Sequence, residues 1–357
     1  MRWVIRVAAV VAALALGTAT QAEDEALMIV LPTGVLPLAV SSSGVVVGGL
    51  RTGGGFHWMP TSGTVFIGGL QALAVSRDGR TITGEAFDAN RIQQAAIWQR
   101  ASEWRLLGSI TPTARPCDRD LSTAIGSSDD GKTLVGLAWD TCAVARAFRW
   151  EEGTGMVNLG STVTGRSSRA NSVSGDGKVV VGWQELISGY WQAAKWVNGT
   201  QTLYTGDAGP LGQAWATNSS GSIIVGQVCR PGDLRDQSAW VWTARDGMAC
   251  LPVPILRPAI EGSFLGIAQA TSEDGRVIGG GHSFGLESES IIWIDRQPHY
   301  LKAYLREHGV PNAFEGWFNT GFITDISRDG RVLVGYGAGP KDFTGYVVVL
   351  PGLGEQK

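Results

Sequence analysis

A short pattern recurs seven times along the chain: a Ser, or Asn in one copy, two variable residues, a Gly, and an apolar run that ends in a second Gly. The copies begin at Ser41, Ser76, Ser128, Ser174, Asn218, Ser272 and Ser327. A repeat constrains the fold because one unit cannot bury its apolar faces alone, so neighbouring units must stack on each other. The sequence therefore predicts a repeat protein with seven structural units.

A second segment follows each Ser-x-x-Gly and consists of a small residue, two others and a Trp. These segments end at Trp58, Trp98, Trp150, Trp196, Trp242, Trp293 and, with Val in place of Trp, Val348. Gly in a tight turn between two apolar runs is typical of a hairpin, because Gly tolerates positive φ. Two strands flank each turn, the Trp segment supplies a third, and an apolar-Gly pair marks a fourth. Each unit is predicted to be a four-stranded antiparallel meander.

The predicted unit length is about 48 residues, within the roughly 40 to 50 residues of propeller blades. We therefore expect an all-β fold, a seven-bladed β-propeller of four-stranded antiparallel blades. The seventh unit lacks a fourth strand, and the segment from Ala26 to Pro32 is predicted to supply it. This N-terminal strand would close the ring and remove an open sheet edge. Near residues 299–308, Tyr300, Leu301, Tyr304 and Leu305 have helical spacing, which predicts one short helix.

The first 22 residues have the pattern of a secretory signal peptide: Arg2 and Arg6, an apolar run from Val7 to Leu16, and a small residue, Ala22, at the expected cleavage point. The apolar run is shorter than the roughly 18 to 20 residues that a membrane span needs. We predict a signal peptide at 1–22 and a single propeller domain at 23–357, secreted or periplasmic, with no transmembrane segment in the mature chain.

The units resemble the HAF family of probable extracellular repeats, found in secreted bacterial proteins. The similarity is clearest at Ala147-Phe148-Arg149-Trp150 and at Gly155 to Gly160, and it covers essentially the whole mature chain. The resemblance implies a location outside the cytoplasm and a repeated architecture. The family has no agreed activity and no catalytic motif, so the resemblance implies no catalytic residue.

Four Cys in an exported protein predict disulfides. In the third unit, Cys117 precedes the first predicted strand and Cys142 follows the second; Cys229 and Cys250 have the matching relation in the fifth unit. An antiparallel meander brings such positions to the same end. We predict the pairs Cys117–Cys142 and Cys229–Cys250, and no metal site, because no His falls at ligand spacing from these Cys.

Two repeated features have alternative interpretations. Asp residues recur in the turns, but each turn offers one or two carboxylates where Ca²⁺ prefers six to eight oxygens, which favours turns that cap their own backbone. The repeated Trp residues suit sugar stacking, but their fixed position in every unit favours packing between blades. The sequence contains no phosphate-binding loop and no nucleophile or zinc-protease motif, so we expect no cofactor.

The connections opposite the Ser-x-x-Gly turns vary freely, and recognition usually resides in such loops. The candidate binding residues there are Phe87, Arg91, Trp139, Trp183, Tyr190, Trp191, Arg230, Arg235, Phe284, Tyr336 and Phe343. With 29 basic and 32 acidic residues, the formal charge of −3 disfavours nucleic acid as a partner. We expect a monomeric, noncatalytic binding module for a glycan or a protein. The alternative is a polysaccharide hydrolase or lyase with carboxylates in the central funnel.

Overall fold

The computed structural model describes residues 25–99, 103–111, 117, 119–206, 209–229, 238–254, 265–284 and 287–352. These residues form seven four-stranded antiparallel sheets, each in the order of a meander, which are the blades of a β-propeller. The predicted fold class is confirmed. The predicted signal peptide lies outside the described residues. Among the described helices, none has the length and apolar character needed to cross a membrane.

The strands follow one another in chain order, and β1 (Leu27–Thr33) precedes the first blade. Blades one to three consist of β2 (Val35–Val40), β3 (Val46–Leu50), β4 (Gly55–Met59), β5 (Gly63–Gly68), β6 (Gln71–Val75), β7 (Thr81–Phe87), β8 (Gln93–Gln99), β9 (Arg105–Leu106), β10 (Ser122–Ser127), β11 (Thr133–Thr141), β12 (Val144–Glu151) and β13 (Gly155–Asn158). Blade four consists of β14 (Ser168–Val173), β15 (Val179–Glu185), β16 (Trp191–Val197) and β17 (Thr200–Leu203), and a two-stranded sheet of β18 (Thr205–Gly206) and β19 (Gly209–Pro210) follows it.

Blades five and six consist of β20 (Ala214–Thr217), β21 (Ile223–Gly226), β22 (Trp240–Thr243), β23 (Gly247–Cys250), β24 (Leu265–Thr271), β25 (Val277–Phe284), β26 (Glu287–Ile294) and β27 (Gln297–Tyr300). The helix α1 (Leu301–Glu307) then leads to β28 (Phe322–Ile326), β29 (Val332–Ala338) and β30 (Phe343–Val349) of blade seven.

Each Ser-x-Asp-Gly turn is held by its own side chains. In the second blade, the Ser76 hydroxyl donates to Asp78 at 2.7 Å and accepts the Thr81 N–H at 3.0 Å, while Asp78 accepts the Arg80 N–H at 3.0 Å. Gly79 has φ 75°, the left-handed conformation that this turn requires. The same Ser-to-Asp bond occurs in blades three, four, six and seven. The turn Asp residues therefore cap the backbone, as the sequence favours.

The repeated Trp residues pack between adjacent blades. Trp150 of blade three lies in one buried cluster with Ala95 and Ile97 of blade two, and Trp293 of blade six lies with Val241 of blade five. Trp196 and Trp293 are almost completely buried. Burial of about 150 to 250 Å² of mainly apolar surface makes each such Trp a large contribution to the contact between two blades.

The ring closes through the N-terminal strand, as predicted. Strand β1 pairs antiparallel with β30, from Leu27 opposite Val349 to Val30 opposite Tyr346, and completes the fourth position of blade seven. On the inner side of the same junction, the Asp325 carboxylate accepts the Val40 N–H at 2.8 Å, across 285 positions of sequence. Blade seven is therefore joined to the start of the chain at its outer and inner strands.

The helix lies in the predicted segment and packs into the core. Its buried residues, Leu301, Tyr304 and Leu305, belong to a cluster with Phe314 and Tyr346 of the following segment and blade seven. The predicted helix is therefore part of the contact between the last two blades.

The cysteines follow the predicted pairing in the fifth blade. Cys229 and Cys250 form a disulfide with a Cα–Cα distance of 5.6 Å. In the third blade, Cys117 Sγ lies 3.5 Å from the carbonyl oxygen of Cys142. The two residues therefore lie close together at one end of the blade, and their disulfide stays a prediction.

We expect the protein, when it is produced in an oxidising compartment, to contain both disulfides. Alkylation under denaturing, non-reducing conditions should modify no Cys, and mass spectrometry should find the peptides of Cys117 and Cys142 linked. Modification of these two residues alone would reject the second disulfide and leave the first.

We expect Trp150→Ala to lower the free energy of unfolding by about 3 to 5 kcal/mol, because it leaves a cavity between blades two and three. Chemical denaturation measures this change. The matched control is Trp191→Ala, which removes a side chain that is 49% exposed and should cost much less. Equal stability of Trp150→Ala and the wild type would contradict the packing role.

Candidate functional site

A channel runs along the propeller axis. Its cavity of about 320 Å³ is lined by residues from the first strand of all seven blades. We call the end of the propeller that carries the Ser-x-x-Gly turns the turn end. The opposite end, with the second-to-third strand connections, is the loop end.

Every first strand carries a β-bulge at the same register. In blade four, for example, the pairing shifts between Ala170 and Ser172, so that Asn171 has no partner on β15. A bulge changes the direction of a side chain, and here the bulged residue always lines the channel. The seven bulged residues, from blade one to blade seven, are Leu38, Leu73, Ile125, Asn171, Trp215, Gln269 and Thr324. Blades one to three thus form an apolar wall, and blades four to seven form a wall with polar atoms.

An axial network of charged and polar side chains spans the turn end; it consists of Arg77, Asp129, Ser219, Glu273 and Arg328. Arg328 of blade seven crosses the axis and places its guanidinium 3.2 Å from Asp129 of blade three. It also donates at 2.9 Å to the Thr217 carbonyl of blade five.

Asp129 is the centre of this network. Its carboxylate accepts the Ser219 hydroxyl at 2.7 Å and lies 3.6 Å from the Arg77 guanidinium. A Cβ on Gly175 would collide with this carboxylate, so Gly at the intervening turn is what lets Asp129 reach the axis. The Ser219 N–H also bonds Glu273 of blade six at 2.9 Å, so the network links five blades across the axis at the turn end.

Two further charged residues line the channel above the network. Burial lowers the pKa of Arg169, which packs over the Trp215 ring at 6.0 Å from its centroid. Burial raises the pKa of Asp325 to about 6, against the effect of the N–H bonds from Val40 and Ile326. In the other six blades the position of Asp325 holds Ala, Gly or Ser.

The loop end carries an exposed platform on blade four, formed by Ile187, Tyr190 and Trp191. Ile187 and Tyr190 are 78% and 77% exposed. Trp191 is half exposed and stacks on Trp183, with ring centroids 4.7 Å apart and an interplanar angle of 15°. Trp183 is itself 7% exposed, so it supports the platform from below.

The other predicted loop residues form separate contacts. Arg91 lies over the Phe87 ring of blade two at 5.6 Å, and Trp139 of blade three donates to Asp120 at 3.1 Å. In blade seven, Tyr336 meets Phe343 edge to face at 6.5 Å, and Tyr336 also lines the channel.

Phe343 is also covered by the Arg51 guanidinium at 5.3 Å. Phe284 ends β25, and Arg230 and Arg235 lie outside the described residues. Among the predicted residues of the described part of the chain, Trp183 and Trp191 stack on each other, and Tyr190 is exposed on the same connection.

A buried carboxylate lies between blades two and three near the loop end. Glu85 accepts hydrogen bonds from the Gln93 amide and, at 3.2 Å, from the Thr123 hydroxyl. Burial raises the pKa of Glu85 to about 7, and the neighbouring Asp120 raises it further. Burial likewise raises the pKa of Asp120. These carboxyls lie behind the channel wall and do not line the axial cavity.

Most channel residues were not predicted from the sequence, although their positions are fixed relative to the repeated Ser. The bulged residue lies three positions before each repeated Ser, and the axial residue lies one position after it. Both positions vary in chemistry from unit to unit while Ser and Gly are retained. This contrast distinguishes channel positions from turn positions once the bulge is known.

Comparison with known proteins supports the fold. No protein-family model matches the chain, and no curated protein matches it. Among solved structures, the β-propeller domain of the Trilobed protease from Pyrococcus furiosus is 11% identical with a TM-score of 0.52, over 95% of this chain and 96% of that chain. A structure from a study of two prolyl endopeptidases is 12% identical with a TM-score of 0.52, over 92% of this chain and 50% of that chain.

TolB from Acinetobacter baumannii is 12% identical with a TM-score of 0.47, over 82% of this chain and 66% of that chain. The chain thus spans half of the prolyl endopeptidase and just under two thirds of TolB. At this identity, the two propellers with the higher TM-score show the fold alone. The resemblance to HAF repeats stays a prediction from the repeated motif.

We expect Glu85→Gln to change how stability depends on pH. The folded pKa of about 7 lies above the ordinary Glu pKa of 4.5, so the stability contributed by neutral Glu85 is present below about pH 4.5 and is lost as the pH rises through 7. The variant should match the wild type at pH 4 and exceed it by up to about 3 kcal/mol above pH 8. Urea denaturation between pH 4 and 8.5 measures the difference.

The matched control for this prediction is Glu287→Gln, an exposed carboxylate at the start of β26. Its substitution should leave the pH dependence of stability unchanged. A stability difference between Glu85→Gln and the wild type that is constant across the pH range would contradict the assignment.

Proposed function

We propose that this protein is an exported, noncatalytic binding module that recognises a protein partner through its loop end. The observation that carries the proposal is the blade-four platform, where three apolar side chains, Ile187, Tyr190 and Trp191, stand exposed on one short connection. Exposed Tyr and Trp on rigid supports are the side chains that contribute most to protein interfaces.

The surroundings of the platform support a protein partner over a glycan. Stacked sugars also need polar groups for their hydroxyls, and the two charged side chains beside the platform, Arg166 and Glu185, are paired with each other. Arg166 lies 3.2 Å from Glu185 and donates at 2.6 Å to the Ile187 carbonyl. Glu185 also accepts the Ser167 N–H at 3.3 Å. These contacts hold the connection in place and leave an apolar surface, which suits apolar side chains of another protein.

The channel supports binding over polysaccharide hydrolysis. Its two carboxylates in the described lining, Asp129 and Asp325, both have structural roles. Asp129 contacts two guanidinium groups of the axial network, and Asp325 accepts two backbone N–H groups. Glycosidases need one carboxyl as an acid and a second as base or nucleophile across the scissile bond, and these contacts occupy both groups.

Two features support export. The Cys229–Cys250 disulfide is typical of proteins in oxidising compartments. The basic and apolar pattern of residues 1–22 is typical of a secretory signal, and the resemblance to HAF repeats implies the same location.

We expect the triple variant Ile187→Ser, Tyr190→Ser, Trp191→Ser to bind its partner at least tenfold more weakly, because it removes three exposed apolar contacts. Partners are first captured from periplasmic and secreted proteins of the source organism. Each is then purified and titrated calorimetrically against the wild type and the variant. The control is Phe66→Ser, which removes a 62% exposed side chain on blade one and should bind normally.

A glycan array with the same three proteins separates the alternatives. Glycan binding that the triple variant loses would keep the platform as the site and reject the protein partner. Partner binding that the triple variant retains, or no binding by the wild type in either assay, would reject the proposal.

A further inference from the structure

Arg169 is a half-buried cation in the channel wall with no carboxylate beside it, and its Nε is fully buried. In the described part of the chain it forms no ion pair, its Nε has no hydrogen-bond partner, and its contact is the face of Trp215 at 6.0 Å. Burial alone lowers its pKa, with no contribution from a neighbouring charge. A buried guanidinium is costly unless an anion and hydrogen-bond acceptors compensate it.

The charges around the channel leave this one uncompensated. The charged residues of the lining are Arg77, Asp129, Arg169, Asp325 and Arg328. Arg77 and Arg328 both contact Asp129, and the charge that acts on Asp325 is that of Arg328. Arg169 is therefore the guanidinium of the lining without an anionic neighbour.

Asn171 places an unused acceptor in the same wall. This bulged residue of blade four is 6% exposed. Its amide nitrogen donates at 2.7 Å to the Ala214 carbonyl, which fixes the orientation of the amide, and its Oδ1 has no partner. Buried acceptors of this kind are normally satisfied, and Asn171 is one of the residues that line the cavity beside Arg169.

The opposite wall is apolar. Leu38, Leu73 and Ile125 are the bulged residues of blades one to three and line the same cavity. The axial network spans the turn end of the same cavity. The cavity of about 320 Å³ lies at the lower limit of ordinary ligand pockets.

We propose that the channel is a binding site for a small carboxylate with an aliphatic body and a hydrogen-bond donor, such as an aliphatic 2-hydroxy acid. The carboxylate pairs with Arg169, the donor binds Asn171 Oδ1, and the aliphatic body packs against Leu38, Leu73 and Ile125. A guanidinium matches the two oxygens of a carboxylate in plane, and the Arg169 guanidinium lies over the Trp215 ring at 6.0 Å from its centroid. This site is separate from the blade-four platform, so either proposal stands or fails without the other.

The test uses 2-hydroxy-4-methylpentanoate as the probe, with 4-methylpentanoate and the neutral amide 2-hydroxy-4-methylpentanamide as matched comparisons. We expect calorimetry on the mature protein to give the tightest binding for the hydroxy acid. Binding of 4-methylpentanoate should be weaker, and binding of the amide should be at least tenfold weaker. All three affinities are measured at one pH and one ionic strength, so that their ranking depends only on the charge and the hydrogen-bond donor of the ligand.

The variants Arg169→Gln and Asn171→Leu locate the site. Arg169→Gln should weaken binding of the hydroxy acid at least tenfold. Asn171→Leu should weaken the hydroxy acid and leave 4-methylpentanoate nearly unchanged. The control is Arg245→Gln, whose side chain is 93% exposed and lies outside the cavity lining.

Circular dichroism and thermal unfolding establish whether each variant is folded. If a variant does not fold, the relative affinities of the three ligands for the wild type test the proposal without it. No binding of the hydroxy acid to the wild type would overturn the proposal. Equal binding of the neutral amide, or undiminished binding by folded Arg169→Gln, would overturn it as well.

Discussion

The backbone pairing of β1 with β30 is the constraint on which the remaining structure depends. Seven sheets surround an axis only if the last one meets the first, and blade seven has three strands of its own. The strand borrowed from the other end of the chain completes the sheet and covers an edge that would otherwise be open to other molecules. The bond from Val40 to Asp325 adds a second connection on the inner side. The cavity and the loop end both exist because this junction holds.

The propeller places one residue of each first strand at an equivalent position facing the axis, and the side chains at these seven positions differ from blade to blade. A bulge at the same register turns one residue of each first strand toward the axis, whatever that residue is. The scaffold can therefore keep its Ser, Gly and Trp residues while the axial positions change from Leu to Asn or Trp. This separation of scaffold from lining is why a repeat with seven nearly identical turns encloses a channel with two unlike walls.

The fold was predictable from the sequence because each of its elements leaves a local signal. Ser-x-Asp-Gly marks a turn, the Trp marks a strand between two blades, and Leu301, Tyr304 and Leu305 mark the buried face of a helix. The site was less predictable. A bulge shifts the alternation by one residue, so the adjacent residues Asn171 and Ser172 both line the channel although adjacent residues of a regular strand face opposite sides. Exposed and supporting aromatic residues look alike in sequence, as Trp191 and Trp183 show.

The closure of the ring also governs when the protein reaches its final form. The two strands that meet in blade seven are the first and last strands of the propeller, so this sheet stays incomplete until the residues of all seven blades have been synthesised. Pairings this distant in sequence form slowly, because the intervening chain must first be ordered. A ring with one open sheet edge is thus the state of the propeller until β1 and β30 pair.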